Sequence, residues 1–315
     1  MAYLSCGDTK MTFRNWLLFL AMVLIWGSNW SVMKLGLGIS PPFAFVSTRL
    51  LFSAASLASI TVFTRPQIPR DRDSIVRLLS YSLISTASFA ATNLGLVSYS
   101  SGTGAVLTYT QPLMVFALAL MLLKERVSAL KLVGILMGFS GVAVLFLEDT
   151  SGLTSWPALL MLLGAFFWAL GTVYYKLRLG GVDAALVNLV QATITFLLLS
   201  AFSAVLEPVK APWTPEYIAI LAYAGIGASA IGMTIWLFLL KGEGATSLSG
   251  SVLVVPVIAL LCGWFFMGEF LDLRSVIGSG LVLAGVYLVN RRNIRDKASV
   301  MNGQVDGSVS NTILP

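Results

Sequence analysis

Ten runs of roughly 20 mostly apolar residues, bounded by charged or Pro/Gly breaks, take up nearly all of this chain. They fall near residues 16–37, 43–63, 77–98, 103–123, 130–147, 156–177, 184–206, 216–239, 246–267 and 274–290. A helix of that length covers the hydrocarbon core of a bilayer. Lipid offers nothing to backbone N–H and C=O groups, so a spanning segment must satisfy them within itself. The expected fold class is therefore all-α integral membrane, with ten transmembrane helices and connections too short for a soluble domain. The 11% of charged side chains agree, being less than half of the roughly one quarter in soluble domains. That shortage, beside 57% hydrophobic residues, excludes a disordered, cytosolic or nucleic-acid-binding protein. The first run is too long for a signal-peptide core and no small-residue cleavage site follows it, so it is expected to be retained.

What is missing narrows the chemistry. The chain has no histidine, which removes the Ser-His-Asp triad, the Cys-His pair and the His-ligated zinc site together. Its two cysteines, Cys6 and Cys262, make no disulfide framework. Neither a cofactor nor a metal is expected. An integral-membrane enzyme would need an acid/base constellation that the spans lack.

Positive charge in short loops stays on the cytoplasmic side. With the N-terminus inside, sixteen lysines and arginines fall on the inner side and three, Lys34, Lys210 and Arg274, on the outer. The net charge of +6 divides into +8 inside, −3 outside and the single charge of Arg49 within a span. Both termini are thus expected in the cytoplasm, with a polar tail after Asn290.

The chain also repeats itself. WGSNWSVMKL at Trp26–Leu35 meets WALGTVYYKL at Trp168–Leu177 at an offset of 142. At an offset of 144, Pro112 meets Pro256, Glu125 meets Glu269, Gly134 meets Gly278 and Gly141 meets Gly285. Shared membrane composition does not align these residues in register. Each copy holds five spans, an odd number, so the second copy must enter the membrane from the opposite side. The expected organisation is a cytoplasmic segment 1–14, a first repeat 15–148, an inverted second repeat 155–290 and a cytoplasmic tail 291–315. Inverted repeats are the architecture of secondary transporters, with the solute site near the midplane.

The WGSNWSVMK opening, Arg49, the run from Gln111-Pro112 to Glu125 and the ending VPVIALLCGWFFMGEFLDLRSVIGSGLVLAGVYLV resemble the EamA family. That family belongs to the drug/metabolite transporter superfamily. The resemblance covers about residues 14–290. It implies ten helices in two inverted five-helix repeats, a plasma-membrane location, and export of amino acids or other small metabolites.

A path on the pseudo-two-fold axis should be lined by equivalent positions of both halves. Trp26, Trp30 and Met33 share one helix face, and their counterparts are Trp168, Thr172 and Tyr175. Asn29 adjoins Trp30, and Gly27–Asn29 is a place where the helix could unwind. Packing is the alternative use of the tryptophans. In span three, Ser85, Ser88 and Thr92 form a stripe suited to helix packing, which leaves Asn93 as the path candidate, with Trp236 from span eight. Tyr109 and Gln111 precede Pro112, and Ser251 precedes Pro256; the two prolines are candidate gating kinks. Arg49 has Gln191 as its counterpart. It either snorkels to a helix end or holds a solute carboxylate.

The remaining charges lie near the ends of spans. Lys34 and Lys176 are expected to anchor opposite faces or draw anions to the mouths. Glu125 and Glu269 are expected to cap helices or pair with Arg126 and Arg274. If protons drive transport, Glu125, Glu243 or Glu269 must serve from the periphery. The glycines of spans five and ten, Gly134, Gly138 and Gly141 with Gly278, Gly280 and Gly285, suit close packing within the bundle or a homodimer seam. The leading expectation is thus a small-molecule exporter held in the lipid bilayer. A flippase or assembly subunit of the same fold, moving a lipid-linked or amphipathic substrate, is the alternative.

Overall fold

Twelve α-helices and one π-helical stretch make up the regular structure of the described residues, and no strand occurs among them. The computed structural model describes residues 12–123, 129–146, 155–207, 212–242, 252, 254–270 and 272–290. Helices α1 (Phe13–Ile39), α2 (Pro42–Thr64) and α3 (Arg72–Leu96) are followed by the short α4 (Ser101–Thr108) and by α5 (Gln111–Leu123) and α6 (Ala129–Phe146). The second half holds α7 (Trp156–Arg178), α8 (Ala184–Leu206), α9 (Pro215–Ala222), the π-helical stretch Tyr223–Gly232, α10 (Met233–Gly242), α11 (Val254–Met267) and α12 (Leu273–Asn290). Among the described residues, six helices are long and apolar enough to cross a membrane: α1, α2, α3, α7, α8 and the continuous rod Pro215–Lys241.

Local chemistry sets the helix ends. Thr12, Asp71, Asp183 and Thr214 each accept a backbone N–H of the first turn, as N-caps do. Prolines open α2, α7 and α9, where the missing N–H costs nothing. Pro112, in the first turn of α5, cannot donate to the preceding turn, and the expected fourth span breaks at Tyr109 and Thr110. Pro256 lies equally early in α11.

Two local expectations change. Gly27–Asn29 does not unwind, because α1 runs unbroken from Phe13 to Ile39. Gly27 instead admits a neighbour: a Cβ there would sit 2.6 Å from the Cβ of Ile258 on α11. The irregular helix is the eighth span. In its π-helical stretch the Ser229 hydroxyl donates to Ala224 O, five residues back, at 2.8 Å. Carbonyls of this stretch take distant partners: Trp26 Nε1 donates to Ala228 O at 3.1 Å, and Asn188 Nδ2 to Ser229 O at 2.9 Å.

Helix α2 packs on α8, α6 on α12, α3 on α7, and α1 on α11 and the π-helical stretch. The α6–α12 contact is backbone on backbone. A Cβ at Gly141 would lie 2.6 Å from Gly278 O, and one at Gly285 would lie 2.6 Å from Gly134 O. Of the two uses open to these glycines, the fold shows packing inside the chain for Gly134, Gly138, Gly141, Gly278 and Gly285, whereas Gly280 is exposed with nothing within 4 Å of a Cβ.

The lysines also take a role neither expectation named. Lys34 Nζ donates to Leu96 O and Val97 O at the end of α3, at 3.1 and 2.9 Å. Lys176 Nζ donates to Leu240 O and Lys241 O at the end of α10, at 2.8 and 3.3 Å. Each supplies donors to carbonyls that a helix end leaves open. Glu269 is a cap, as expected: its carboxylate accepts Ser101 N at 2.7 Å, Ser101 Oγ at 2.8 Å and Gly102 N at 3.3 Å at the start of α4. The sequence reading missed Glu207, which holds Phe43 N and Ala44 N of α2, both at 2.8 Å. Both carboxylates sit at the positive end of a helix and tie one half of the chain to the other. Glu125, Arg126, Lys210 and Glu243 lie outside the described residues.

Candidate functional site

A chamber opens where α1, α2, α3, the α4–α5 break, α7 and the π-helical stretch converge. It measures about 90 Å³, counted as space for the centres of water molecules. Helix α1 contributes Trp26, Asn29, Trp30 and Met33, and α2 contributes Arg49. Helix α3 turns Ser88, Phe89, Thr92 and Asn93 toward the space, and the α4–α5 break adds Thr108, Tyr109 and Gln111. Only Trp168, Ala228, Ser229 and Met233 come from the second half.

The walls are aromatic and the unpaired groups polar. Trp26 meets its repeat counterpart Trp168 edge to face, ring centroids 5.7 Å apart, and leans on Trp236 at 5.8 Å. Phe89 meets Trp168 at 6.5 Å. Eleven buried side-chain atoms among the described residues have no hydrogen-bond partner, and seven belong to this lining. They are Nε and Nη1 of Arg49, Nε1 of Trp168, Oγ1 of Thr108, and the carbonyl oxygens of Asn29, Asn93 and Gln111. Buried polar atoms are nearly always paired, so their gathering in one place points to a solute or solvent site. A mainly apolar concavity with a few convergent polar groups, at the meeting of helices, has the make-up of a ligand pocket.

A second, smaller cavity of about 10 Å³ adjoins it, lined by Tyr81, Ser85, Phe167, Gly171, Thr172 and Trp236. Ser88, Trp168 and Met233 line both.

A model of the EamA-like transporter family matches the chain twice, over residues 14–147 and 155–291. The chain belongs to the EamA-like transporter family. Among its relatives is the uncharacterized transporter YvbV of Bacillus subtilis, 28% identical, with 91% of this chain and 95% of YvbV aligned. The uncharacterized inner membrane transporter YedA of Escherichia coli K12 is 27% identical over 85% of this chain and 88% of its own. The WAT1-related protein At3g02690, chloroplastic, of Arabidopsis thaliana is 26% identical over 89% of this chain and 70% of its own. A solved crystal structure, 18% identical, superposes with a TM-score of 0.67 over 88% of this chain and 97% of its own, and so shares the fold. The protein is a multi-pass membrane transporter.

Eight of the path residues expected from sequence line this transporter's chamber: Trp26, Asn29, Trp30, Arg49, Asn93, Tyr109, Gln111 and Trp168. Thr172 and Trp236 line the smaller cavity instead. Tyr175 reaches neither; its ring faces Tyr81 at 5.9 Å and its hydroxyl donates to Leu237 O at 3.2 Å. Gln191 is buried away from both and donates to Thr195 Oγ1 at 3.5 Å. Ser251 lies outside the described residues. Pro112 and Pro256 are buried and line neither cavity. The lining is thus not shared equally by the halves, contrary to expectation, because Trp236 and Tyr175 pack tightly where the first half leaves space. Ser88 and Thr92, assigned above to packing, do both: Ser88 Oγ donates to Gly164 O at 2.8 Å and also borders the chamber.

Proposed function

We propose that this transporter exports amino acids or related small metabolites by alternating access through the chamber, and that residues 15–148 and 155–290 are inverted five-span repeats. The observation that carries the reading is the relation between the two cavities. Under the offsets of 142 and 144, Trp168, Gly171, Thr172, Ser85, Met233 and Trp236 of the smaller cavity correspond to Trp26, Asn29, Trp30, Ser229, Phe89 and Thr92 of the chamber. Two cavities built from exchanged positions on either side of the Trp26–Trp168 contact are what alternation between two openings requires. The packing supports the same exchange. Helices α2 and α8 are counterparts in contact, as are α6 and α12, and the contact of α1 with α11 is answered by that of α7 with α4 and α5.

The charge distribution supports an N-terminus in the cytoplasm, with the chamber toward the outer face and the smaller cavity toward the inner. The inner membrane is the expected site, as the name of YedA states for that protein. Pro112 and Pro256 are the proposed bending points. The flippase alternative is less favoured, since a chamber of about 90 Å³ is small for a lipid-linked headgroup. A homodimer would use a surface other than the glycine faces of α6 and α12. Purified protein in proteoliposomes loaded with an amino-acid panel is expected to release at least one member. Absence of flux for the whole panel overturns the substrate class, and a response to an imposed pH gradient identifies proton coupling.

A further inference from the structure

We infer that Arg49 is the anion-binding centre of the chamber, and that the solute it takes carries a carboxylate, with its apolar remainder against Trp26, Trp30 and Trp168. The inference rests on the transporter reading of the same chamber and names what that chamber recognises.

The sequence left Arg49 free to snorkel, to satisfy a helix end or to hold a solute carboxylate, and the structure supports neither of the first two. Arg49 is only 4% exposed, and it is the eighth residue of α2, roughly 10 Å along the helix at about 1.5 Å per residue. Its Nε and Nη1 meet no carbonyl. The guanidinium carbon lies 5.2 Å from the ring centre of Phe89 and 6.0 Å from that of Phe45. Such stacking holds the plane of the group and leaves its N–H edge directed elsewhere. The backbone beneath is fixed as well: the π-helical stretch approaches α2 so closely that a Cβ at Gly225 would overlap the Arg49 carbonyl oxygen and lie 2.7 Å from Phe52 Cβ. The guanidinium is therefore held in place with its donors unspent.

Its charge is also uncompensated. No Asp or Glu lines the chamber, and the ion pair found among the described residues, Arg77 with Asp73, lies at the exposed start of α3. An uncompensated charge inside a membrane protein is costly and marks a functional site by default. A carboxylate matches the guanidinium in charge and in its planar pair of acceptors. The remaining unpartnered atoms fit the rest of such a solute. The oxygens of Asn29, Asn93 and Gln111 accept from an ammonium or hydroxyl, and the three indoles cover an apolar side group. A solute whose only charge is positive meets Arg49 with no acid to offset it. Amino acids and monocarboxylates thus fit, and the corresponding amines do not.

The test uses purified full-length protein in detergent, with matched sets of solutes: alanine, propionate and ethylamine, and their longer-chain analogues. Chloride and inorganic phosphate are run as free-anion controls. Binding is read from tryptophan fluorescence, which Trp26, Trp30 and Trp168 report directly, and from the ligand-induced rise in thermal midpoint. The acids are expected to bind at least tenfold more tightly than the amines and the inorganic anions. Arg49→Gln is expected to lose at least tenfold in acid affinity while its unliganded midpoint stays equal to or above wild type, since it removes an unpaired buried charge. Arg49→Lys is expected to fall between the two. The inference is overturned if amines bind as well as acids, if no carboxylate binds, if only inorganic anions bind, or if Arg49→Gln binds acids normally. The solute comparison on wild type decides the matter even if both variants misfold. Carboxylate binding without flux in vesicles would remove the transport reading and keep this one; flux confined to neutral or cationic solutes would do the reverse.

Discussion

Under the proposed repeat the chamber and the smaller cavity are lined by exchanged positions, yet one measures about 90 Å³ and the other about 10 Å³. Four of the six corresponding pairs differ, Phe89 and Met233 among them. Thr92 of the chamber corresponds to Trp236, Asn29 to Gly171 and Trp30 to Thr172. The first changes a small hydroxyl side chain into an indole that is only 2% exposed. Arg49 has no charged counterpart, because Gln191 is turned away to Thr195. On the proposed repeat, the halves share a plan for packing but not for recognition. A solute passing from one cavity to the other would leave a charged, amide-rich surface for an uncharged one whose polar groups are the hydroxyls of Tyr81, Ser85, Ser88 and Thr172.

The largest way to break the comparison is Trp236→Thr, which gives the smaller cavity the side chain of the chamber. Loss of a buried tryptophan is expected to cost about 3–5 kcal/mol, read as a fall in the midpoint of thermal or detergent unfolding. A midpoint within error of wild type would mean that helices close over the space and that the cavities are not equivalent. Glu269→Gln comes next. It replaces one carboxylate oxygen with an amide donor facing the N–H and O–H groups of Ser101 and Gly102, at a cost of about 1–3 kcal/mol. Faster hydrogen exchange at those two amides is the check. Unchanged exchange would show that α4 holds its own start. The smallest effect sharpens the equivalence itself. Lys34→Met and Lys176→Met each remove donors from two helix-end carbonyls, at a cost of about 1 kcal/mol apiece. Equal destabilisation of the two variants is expected, and a loss confined to one would end their pairing.

Sequence disclosed the parts of this fold that depend on counting. Apolar run length located six helices of membrane length among the described residues, and the expected fourth span is broken just before Pro112, because a missing N–H acts locally whatever surrounds it. Trp26, Trp30 and Trp168 stood out through their repeat. Other features depend on tertiary packing and left no local sign. The π-helical stretch Tyr223–Gly232 is a run of alanine, glycine and isoleucine around one serine, and the groups that pair its carbonyls, Trp26 and Asn188, are far away in the chain. Phe89, Thr108, Ala228 and Met233 line the chamber because of how their helices are rotated against neighbours, which periodicity alone does not fix. Gly27 misled for a related reason. A glycine in a membrane helix serves either loosening or close approach, and only the position of Ile258 chooses between them.

Trp168 belongs to both cavities, together with Ser88 and Met233. A wall shared in this way cannot withdraw from one side without advancing on the other. In the alternating access proposed for this transporter, room gained at one end of the molecule is taken from the opposite end, as in an hourglass whose waist slides along its length. Under that proposal, protection against a continuous water-filled leak comes from conservation of internal space around one indole ring, and needs no pair of separately timed latches.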